Sequence, residues 1–207
     1  MKALSAAELD ERSQAPARSH QSRLITLSFM TAGWGFWYAM YRAYYGFGGT
    51  AGMFGVPKSE SQWRAINLAG AAILLLVAAL PVAILPLWKR SRVRPILLGL
   101  CWLLAVGFTM HALVDDIQRI LSLAGLLHLD YPLFMTVNSR VADLQDLIFN
   151  ETWFLAEGVL WGILGWIDLH PSPARRWWIG TAVAAVVVLT CIGLLAGFGL
   201  IGRFIIG

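Results

Sequence analysis

The sequence predicts an all-α protein, a polytopic membrane bundle of five transmembrane helices. Of its 207 residues, 58% are hydrophobic and only 14% are charged, and the mean hydropathy is +0.65. Soluble domains contain about 45–50% apolar and about 25% charged residues. A transmembrane helix needs about 20 apolar residues, so a chain of this length holds a few spans and no separate soluble domain. The composition excludes a disordered chain, a disulfide scaffold and a typical cytosolic enzyme.

Five apolar segments are long enough to cross a membrane. Residues 1–23 are polar and are expected to form a cytoplasmic tail with a short helix at 5–12, while 24–207 form a single transmembrane bundle. Pro81 and Pro86 lie in the second segment, where a membrane helix tolerates them if its neighbours satisfy the freed carbonyl groups. The predicted spans are 24–46, 65–88, 95–114, 147–167 and 177–201.

The distribution of basic residues predicts the orientation of this bundle. With the N-terminus inside, ten Lys and Arg residues fall on inner segments and five on outer segments. Lys and Arg collect on cytoplasmic loops, and the run KRSRVR at 89–94 contributes most. We therefore predict the N-terminus inside and the C-terminus outside. Because topology accounts for the net charge of +4, no nucleic-acid partner is expected.

Two connecting segments are longer than a tight turn. The first, 47–64, is Gly-rich and is expected to be a loop. The second, 115–146, carries apolar residues at helical spacing and polar residues on the other side. This pattern predicts an amphipathic helix at the outer interface that leads into the fourth span. Its apolar positions are Leu133, Val137, Val141, Leu144 and Ile148, and its polar positions are Asp143, Gln145 and Asp146.

Ionisable and polar groups at membrane depth are the strongest functional signal, because such groups are costly there. They occur in three of the five spans and share the predicted outer half. At a rise of about 1.5 Å per helical residue, Glu157 is expected to lie deepest of these groups, near mid-membrane. The set comprises Arg42 in the first span, His111, Asp115 and Asp116 in the third, and Asn150, Glu151 and Glu157 in the fourth.

Helical spacing places these groups on defined faces. His111 and Asp115 form one stripe, and Asn150, Glu157 and Trp161 share another, with Trp153 four residues before Glu157. A third stripe, on the first span, includes Trp34, Tyr38 and Tyr41. The pattern predicts a cavity with Glu157 as its floor and aromatic walls, opening outward past His111, Asp115 and Arg42.

Structural roles are the alternatives at several of these positions. Asp115, Asp116 and Arg119 are compatible with a solvated helix end that carries an i, i+4 pair. Glu151 is compatible with an interfacial cap, and Arg42 with a side chain that reaches the headgroups. Glu157 has no interface within reach and must be paired or protonated. One His with scattered carboxylates is typical of a bundle residue, so no metal is expected.

Recognisable cofactor motifs are absent from the sequence. Cys101 and Cys191 lie far apart inside apolar segments, and no C-x-x-C, P-loop or dinucleotide fingerprint occurs. The expected cofactor content is none. Two Gly-x-x-x-Gly pairs, at 158–162 and 193–197, predict close helix packing or a homo-oligomer.

Two short stretches resemble an uncharacterised family of small bacterial, actinobacterial-type multi-span membrane proteins. They are Tyr41–Thr50, in which an aromatic helix end meets a Gly-Gly turn, and Trp153–Gly158. The resemblance implies a bacterial inner (plasma) membrane location and no particular activity. In plan only, the chain also looks like the small integral-membrane terpene cyclases, which have a few helices, embedded carboxylic acids and many aromatic residues.

Together these patterns favour an enzyme that cyclises or isomerises a hydrophobic, isoprenoid-like substrate after protonating it. Glu157 is the predicted acid, and His111 or Asp115 takes the proton back. Arg42, Asn150 and Glu151 are predicted to bind the substrate. The aromatic faces expected to stabilise a carbocation belong to Tyr38, Tyr41, Trp153 and Trp161.

Two other functions fit the same residues. In a non-catalytic accessory, scaffold or lipid-binding subunit, the polar groups would pair with one another or with a partner. In a proton-coupled carrier, Glu157 and Asp115 would form a relay. The lack of an internal repeat disfavours a carrier.

Overall fold

The computed structural model describes residues 6–169 and 172–201, and helices dominate this part of the chain. The six α-helices are α1 (Ala6–Gly46), α2 (Glu60–Ala83), α3 (Arg94–Leu123), α4 (Ser139–Gln145), α5 (Glu151–Asp168) and α6 (Ser172–Gly197). A 3-10 turn at Leu85–Lys89 follows α2, and a π-helical turn at Asp146–Asn150 joins α4 to α5. Two short strands, β1 (Gly55–Pro57) and β2 (Phe134–Val137), form an antiparallel pair.

Four helical segments are long and apolar enough to cross a membrane. They are Glu60–Lys89, Arg94–Leu123, Ser139–Asp168 and Pro173–Gly197. The chain is therefore a helical membrane protein. The first predicted span lies within α1, which is not among these four, so the fifth span and the orientation stay predictions. Large side chains on the outside of the bundle, such as Leu76 at 70% exposure, are the ones expected to face lipid.

The N-terminal region differs from its prediction. Instead of a short helix at 5–12 and a separate span, α1 is continuous for 41 residues from Ala6 to Gly46. Residues 1–5 lie outside the described part. The polar segment joins the same helix although it contains Pro16, which cannot donate an intrahelical hydrogen bond.

Sequence features explain where the other helices begin and end. The Ser59 side chain caps α2 by accepting a hydrogen bond from the backbone of Gln62. Pro81 lies inside α2, while Pro86 begins the tighter 3-10 turn and Pro95 occupies the first turn of α3, where its missing N–H is harmless. The two prolines of the second predicted span therefore end α2 early, at Ala83.

The predicted amphipathic helix at 133–148 is wrong in its first part. Residues 134–137 form β2, which pairs with β1 inside the segment expected to be a loop, and the helix begins only at Ser139. Burial explains the difference. The Phe134 ring is buried and packs 4.9 Å from Phe54 and 5.1 Å from Trp63, centroid to centroid. Asn138 then caps α4 by accepting from the Val141 backbone.

Two faces of the α4–α5 segment have opposite environments. Asp143 is 2% exposed and points into the protein, whereas Val141 and Ile148 are exposed on the outside. In a continuous α-helix, Asp143 and Glu151 would lie about 80° apart around the axis. The π-helical turn between them delays the rotation, and both carboxyl groups face α3.

Helix packing depends on small residues. α1 packs along α2, and α3 packs on both α5 and α6. A Cβ on Gly158 would lie 2.5 Å from Oγ1 of Thr109, and one on Gly193 would lie 2.7 Å from a methyl carbon of Val114. Each of the two Gly-x-x-x-Gly pairs thus contributes a glycine to packing against α3. Trp161, Leu164 and Cys101 are fully buried in the main core.

Candidate functional site

A cavity of about 450 Å³ lies between α1, α2, α3 and the start of α5. We call it the acidic cavity. Tyr38 and Arg42 reach it from α1, and α2 contributes aliphatic walls. The largest share of polar groups comes from α3 and from the π-helical turn with α5. Those side chains are His111, Asp115, Arg119, Asp146, Asn150 and Glu151.

Three ionisable groups meet on one wall of the acidic cavity. Nε2 of His111 lies 3.8 Å from Oδ2 of Asp115 and 3.8 Å from Oε2 of Glu151. Glu151 is 3% exposed, and its Oε2 has no hydrogen-bond partner among the described residues. The His111 ring is about half exposed and packs edge-on against Phe154, with centroids 4.5 Å apart. An imidazole therefore stands between two carboxyl groups.

Among the residues that the structure describes, the same three side chains are also close enough together to bind one metal ion. One ligand atom from each of His111, Asp115 and Glu151 falls within 4.8 Å of the other two. One nitrogen and two carboxylate oxygens suit zinc or a non-haem iron, with open positions left for substrate. The sequence predicted that no metal would bind, and the geometry makes a metal the alternative occupant.

A second hydrogen-bonded group belongs to the lining of the same cavity. The Tyr38 hydroxyl donates to Oδ1 of Asn150 at 3.1 Å, and the Asn150 amide donates to Asp146. The buried Tyr38 ring is stacked on Trp153 with centroids 4.3 Å apart. Because the carbonyl oxygen and the amide nitrogen of Asn150 are both hydrogen-bonded, the orientation of this side chain in the cavity is fixed.

Arg119 organises the acidic residues beside the cavity. Its Nη1 lies 3.1 Å from Oδ1 of Asp143, and its Nη2 lies 2.7 Å from Oδ2 of Asp146. Tyr131 and Ser122 each donate to the Asp143 carboxylate at 2.6 Å. Burial and the hydrogen bond to Asp143 raise the pKa of Tyr131 above its usual range. Arg119 is thus a partly buried structural cation, with 18% of its side chain exposed, and not the solvated helix end considered from the sequence.

The charges around the cavity do not balance. Five carboxyl groups belong to this region, whereas Arg42 and Arg119 are the permanent cations that the described residues supply there. Oδ1 of Asp116, like Oε2 of Glu151, has no partner among the described residues. Unpaired carboxylates are expensive at membrane depth. Either a proton or a bound cation must offset the excess. The five are Asp115, Asp116, Asp143, Asp146 and Glu151.

Glu157 lies outside the lining of the acidic cavity. It is fully buried where α5 crosses α1 and α2, and Oε1 accepts a 3.0 Å hydrogen bond from Nε1 of Trp161. A Cβ on Gly35 would lie 3.5 Å from Oε1. Oε2 has no partner among the described residues. The structure therefore gives the predicted floor residue a position inside the helix packing, separate from the cavity.

The remaining predicted aromatic residues divide between core and a neighbouring cavity. Trp161 is fully buried and Trp153 is nearly so, and neither lines the acidic cavity. Tyr41 lines an adjacent cavity of about 260 Å³, where its hydroxyl accepts from Gln145 at 2.8 Å. Tyr38 is the predicted aromatic residue that reaches the acidic cavity.

Sequence reasoning missed several side chains of this cavity. Asp146 was expected on the polar side of an amphipathic helix, Arg119 was compatible with a solvated helix end, and Phe108 and Phe154 were given no role. A signal existed for two of them. Asp146 precedes Asn150 by four residues, and Phe108 precedes His111 by three, which places each near a recognised site residue on a helix.

Comparison with known proteins adds no relative to this picture. No family model, characterised protein or solved structure matches the chain. The arrangement of the site therefore carries the functional argument alone.

Proposed function

We propose that this protein is an integral membrane enzyme that isomerises or cyclises a hydrophobic, isoprenoid-like substrate by proton transfer in the acidic cavity. The observation that carries the proposal is the position of Glu151. Its carboxyl group is buried, its Oε2 has no hydrogen-bond partner among the described residues, and the same oxygen lies 3.8 Å from Nε2 of His111. A buried carboxyl group without a counter-ion is most stable in its protonated form, and a protonated carboxyl group is a general acid.

Isomerisation needs one proton to be added and one to be removed. Glu151 donates its proton to one carbon of the alkene, which leaves a tertiary carbocation and a Glu151 carboxylate. Asp115 removes a proton from a neighbouring carbon, and a new double bond forms there. His111 lies between the two carboxyl groups and returns the proton from Asp115 to Glu151. No electron is gained or lost, and the acid is restored.

The walls of the cavity suit a positively charged intermediate. Tyr38, Phe108 and Phe154 offer aromatic faces and edges next to aliphatic residues of α2. The excess of carboxylates provides a fixed negative field, which favours a developing cation in a site of low polarity. Arg42 and Asn150 line the same cavity, and in this proposal they bind a hydroxyl or other polar end of the substrate.

This proposal assigns the acid to Glu151 and leaves Glu157 a supporting role. Glu157 is bonded to Trp161 within the helix packing and does not line the cavity. Glu157 as the acid remains the competing assignment within the same reaction class.

The test compares lipid extracts from cells that express wild type, Glu151→Gln, Glu157→Gln or Glu60→Gln, each supplied with a panel of polyprenyl substrates. Glu60 is on the exposed first turn of α2 and serves as the control. Chromatography coupled to mass spectrometry is needed because an isomer keeps the mass of its substrate. We expect a product peak with wild type and Glu60→Gln, and at least a 100-fold loss with Glu151→Gln.

Each other outcome has a defined meaning. Loss of product with folded Glu157→Gln and retention with Glu151→Gln would move the acid to Glu157. Identical extracts from all four well-expressed, folded proteins would contradict the enzyme and favour a non-catalytic lipid-binding or accessory subunit.

A metal-dependent reaction is the second candidate, favoured by the 4.8 Å grouping of His111, Asp115 and Glu151. The purified protein would then contain about one equivalent of zinc or iron by elemental analysis. Replacing His111 with Phe would remove both metal and activity. A metal-free protein that still forms product would exclude this candidate.

A further inference from the structure

A second cavity lies at the opposite end of the bundle from the acidic cavity. It has a volume of about 720 Å³ and lies between the N-terminal half of α1, the 3-10 turn and the facing ends of α3 and α5. We call it the basic cavity. Its polar side chains include Lys89, Ser91 and Arg94. Its apolar side chains include Leu24, Ile25, Leu85 and Pro86.

Two groups in the basic cavity are without internal partners. Lys89 forms no ion pair among the described residues, whereas Arg94 is paired with Asp168. Trp88 is 7% exposed and its indole Nε1 has no acceptor in the described part of the chain. A buried indole N–H normally has a hydrogen-bond partner. One cation and one donor thus remain for a ligand.

The surroundings strengthen the preference for an anion. Arg90 lies in the same short connection, and Arg175 and Arg176 lie in the first turns of α6 at this end of the bundle. The described acidic group that lines the cavity, Asp168, is neutralised by Arg94. A site with a cationic rim and an apolar wall suits the charged headgroup and the acyl chains of an anionic phospholipid. Basic pockets between transmembrane helices bind such headgroups.

We propose that the basic cavity binds one anionic phospholipid of the surrounding membrane. The phosphate lies against Lys89 and accepts from the Trp88 indole, and an acyl chain follows Leu24 and Leu85 along α1 and the 3-10 turn. The lipid fills the gap between α1 and the N-terminal end of α3. This site is independent of the reaction proposed for the acidic cavity.

Native mass spectrometry of the full chain in detergent tests the site. Phosphatidylglycerol or phosphatidylcholine is added to wild type, Lys89→Gln and Arg92→Gln. Arg92 is the matched control, because it is an exposed cation three residues from Lys89 and does not line the cavity. One cation near a headgroup contributes about 1 kcal/mol, which corresponds to about fivefold in affinity. We expect a single phosphatidylglycerol adduct on wild type, weakened about fivefold in Lys89→Gln and unchanged in Arg92→Gln.

A second measurement locates the lipid. Phosphatidylglycerol with brominated acyl chains should quench part of the tryptophan fluorescence of wild type, and this part should be missing in Trp88→Phe. Equal binding of phosphatidylcholine, equal weakening by both charge variants, or quenching unchanged in Trp88→Phe would each overturn the proposal. Displacement of the adduct by millimolar inorganic phosphate would reassign the site to a free anion.

Discussion

Nη1 of Arg119 lies 3.1 Å from Oδ1 of the buried Asp143, and this largely buried pair joins α3 to α4. Arg119 also holds Asp146, so a single guanidinium offsets two carboxylates. Removing one partner of a buried ion pair costs about 3–5 kcal/mol, because the charge left behind is unpaired.

Replacing Arg119 with Met should therefore lower the free energy of unfolding by about 3 kcal/mol. The matched control is Arg64→Gln, since Arg64 forms an exposed pair with Glu60 that should contribute less than about 1 kcal/mol. Unfolding in a mixed detergent series, followed by circular dichroism, measures both. Equal stability of the two variants would show that the pair is energetically neutral.

Tyr131 gives a prediction on pH. Burial raises the pKa of Tyr131, so the folded protein keeps this proton at a pH where the unfolded chain, with a tyrosine pKa of about 10, has lost it. The contribution is fully present below about pH 10 and is lost as the pH rises further.

Thermal denaturation of wild type and Tyr131→Phe between pH 8 and 12 measures this effect. The stability of wild type should fall more steeply above about pH 10 than that of Tyr131→Phe, which lacks the titrating hydroxyl. The other four tyrosines are common to both proteins and cancel in the comparison. Parallel curves would mean that Tyr131 ionises equally easily in the folded and unfolded states.

The glycines of α5 offer a matched pair of packing variants. A Cβ on Gly158 would lie 2.5 Å from Oγ1 of Thr109 and 3.1 Å from the carbonyl oxygen of Ala105, whereas one on Gly162 would meet Ala105 at an ordinary 3.7 Å. Gly158→Ala should destabilise the protein by about 1–3 kcal/mol through overpacking. Gly162→Ala should be neutral or slightly stabilising, since alanine favours a helix.

Thermal shift in detergent separates these two variants. The same loss in both would point to an interface between copies of the chain at this glycine pair, and size-exclusion chromatography coupled to light scattering would then detect it.

Chelation separates the two chemistries considered for the acidic cavity. If Glu151 and His111 transfer protons directly, product formation by purified protein should be unchanged within twofold after treatment with EDTA and dialysis. His111→Gln should lower turnover by about 10²–10⁴-fold, since the returning proton loses its carrier. Activity that disappears on chelation and returns with zinc or iron would contradict direct proton transfer.

Depth along a helix can be predicted from sequence more readily than rotation about its axis. Tyr38, Arg42, His111 and Asp115 were expected at one level, and they meet there. Glu157 was expected to face the same cavity, but α5 turns it toward Gly35 and Trp161. That rotation depends on close contacts such as Gly158 against Thr109, which involve residues far apart in the chain.

Other differences also come from long-range contacts. β2 was predicted as helix because Leu133, Val137 and Val141 recur at helical spacing, and pairing with β1 overrides this local pattern. Arg119 was compatible with a solvated helix end until Asp143, 24 positions later, was found beside it. No local signal marks the π-helical turn at Asp146–Asn150.

That turn sets the direction in which two acidic groups face. Each residue of an α-helix advances the side chain by about 100°. If substitutions at Asp146–Asn150 let a regular α-helix form without changing the chain length, Asp143 and Glu151 would lie about 80° apart, and either Glu151 would rotate away from His111 or Asp143 would rotate away from Arg119. Losing one residue between Asp143 and Glu151 would have a much smaller effect, because positions seven residues apart in an α-helix lie only about 20° from alignment. The facing of the two carboxyl groups therefore tolerates the loss of a residue better than it tolerates the loss of the π-helical turn.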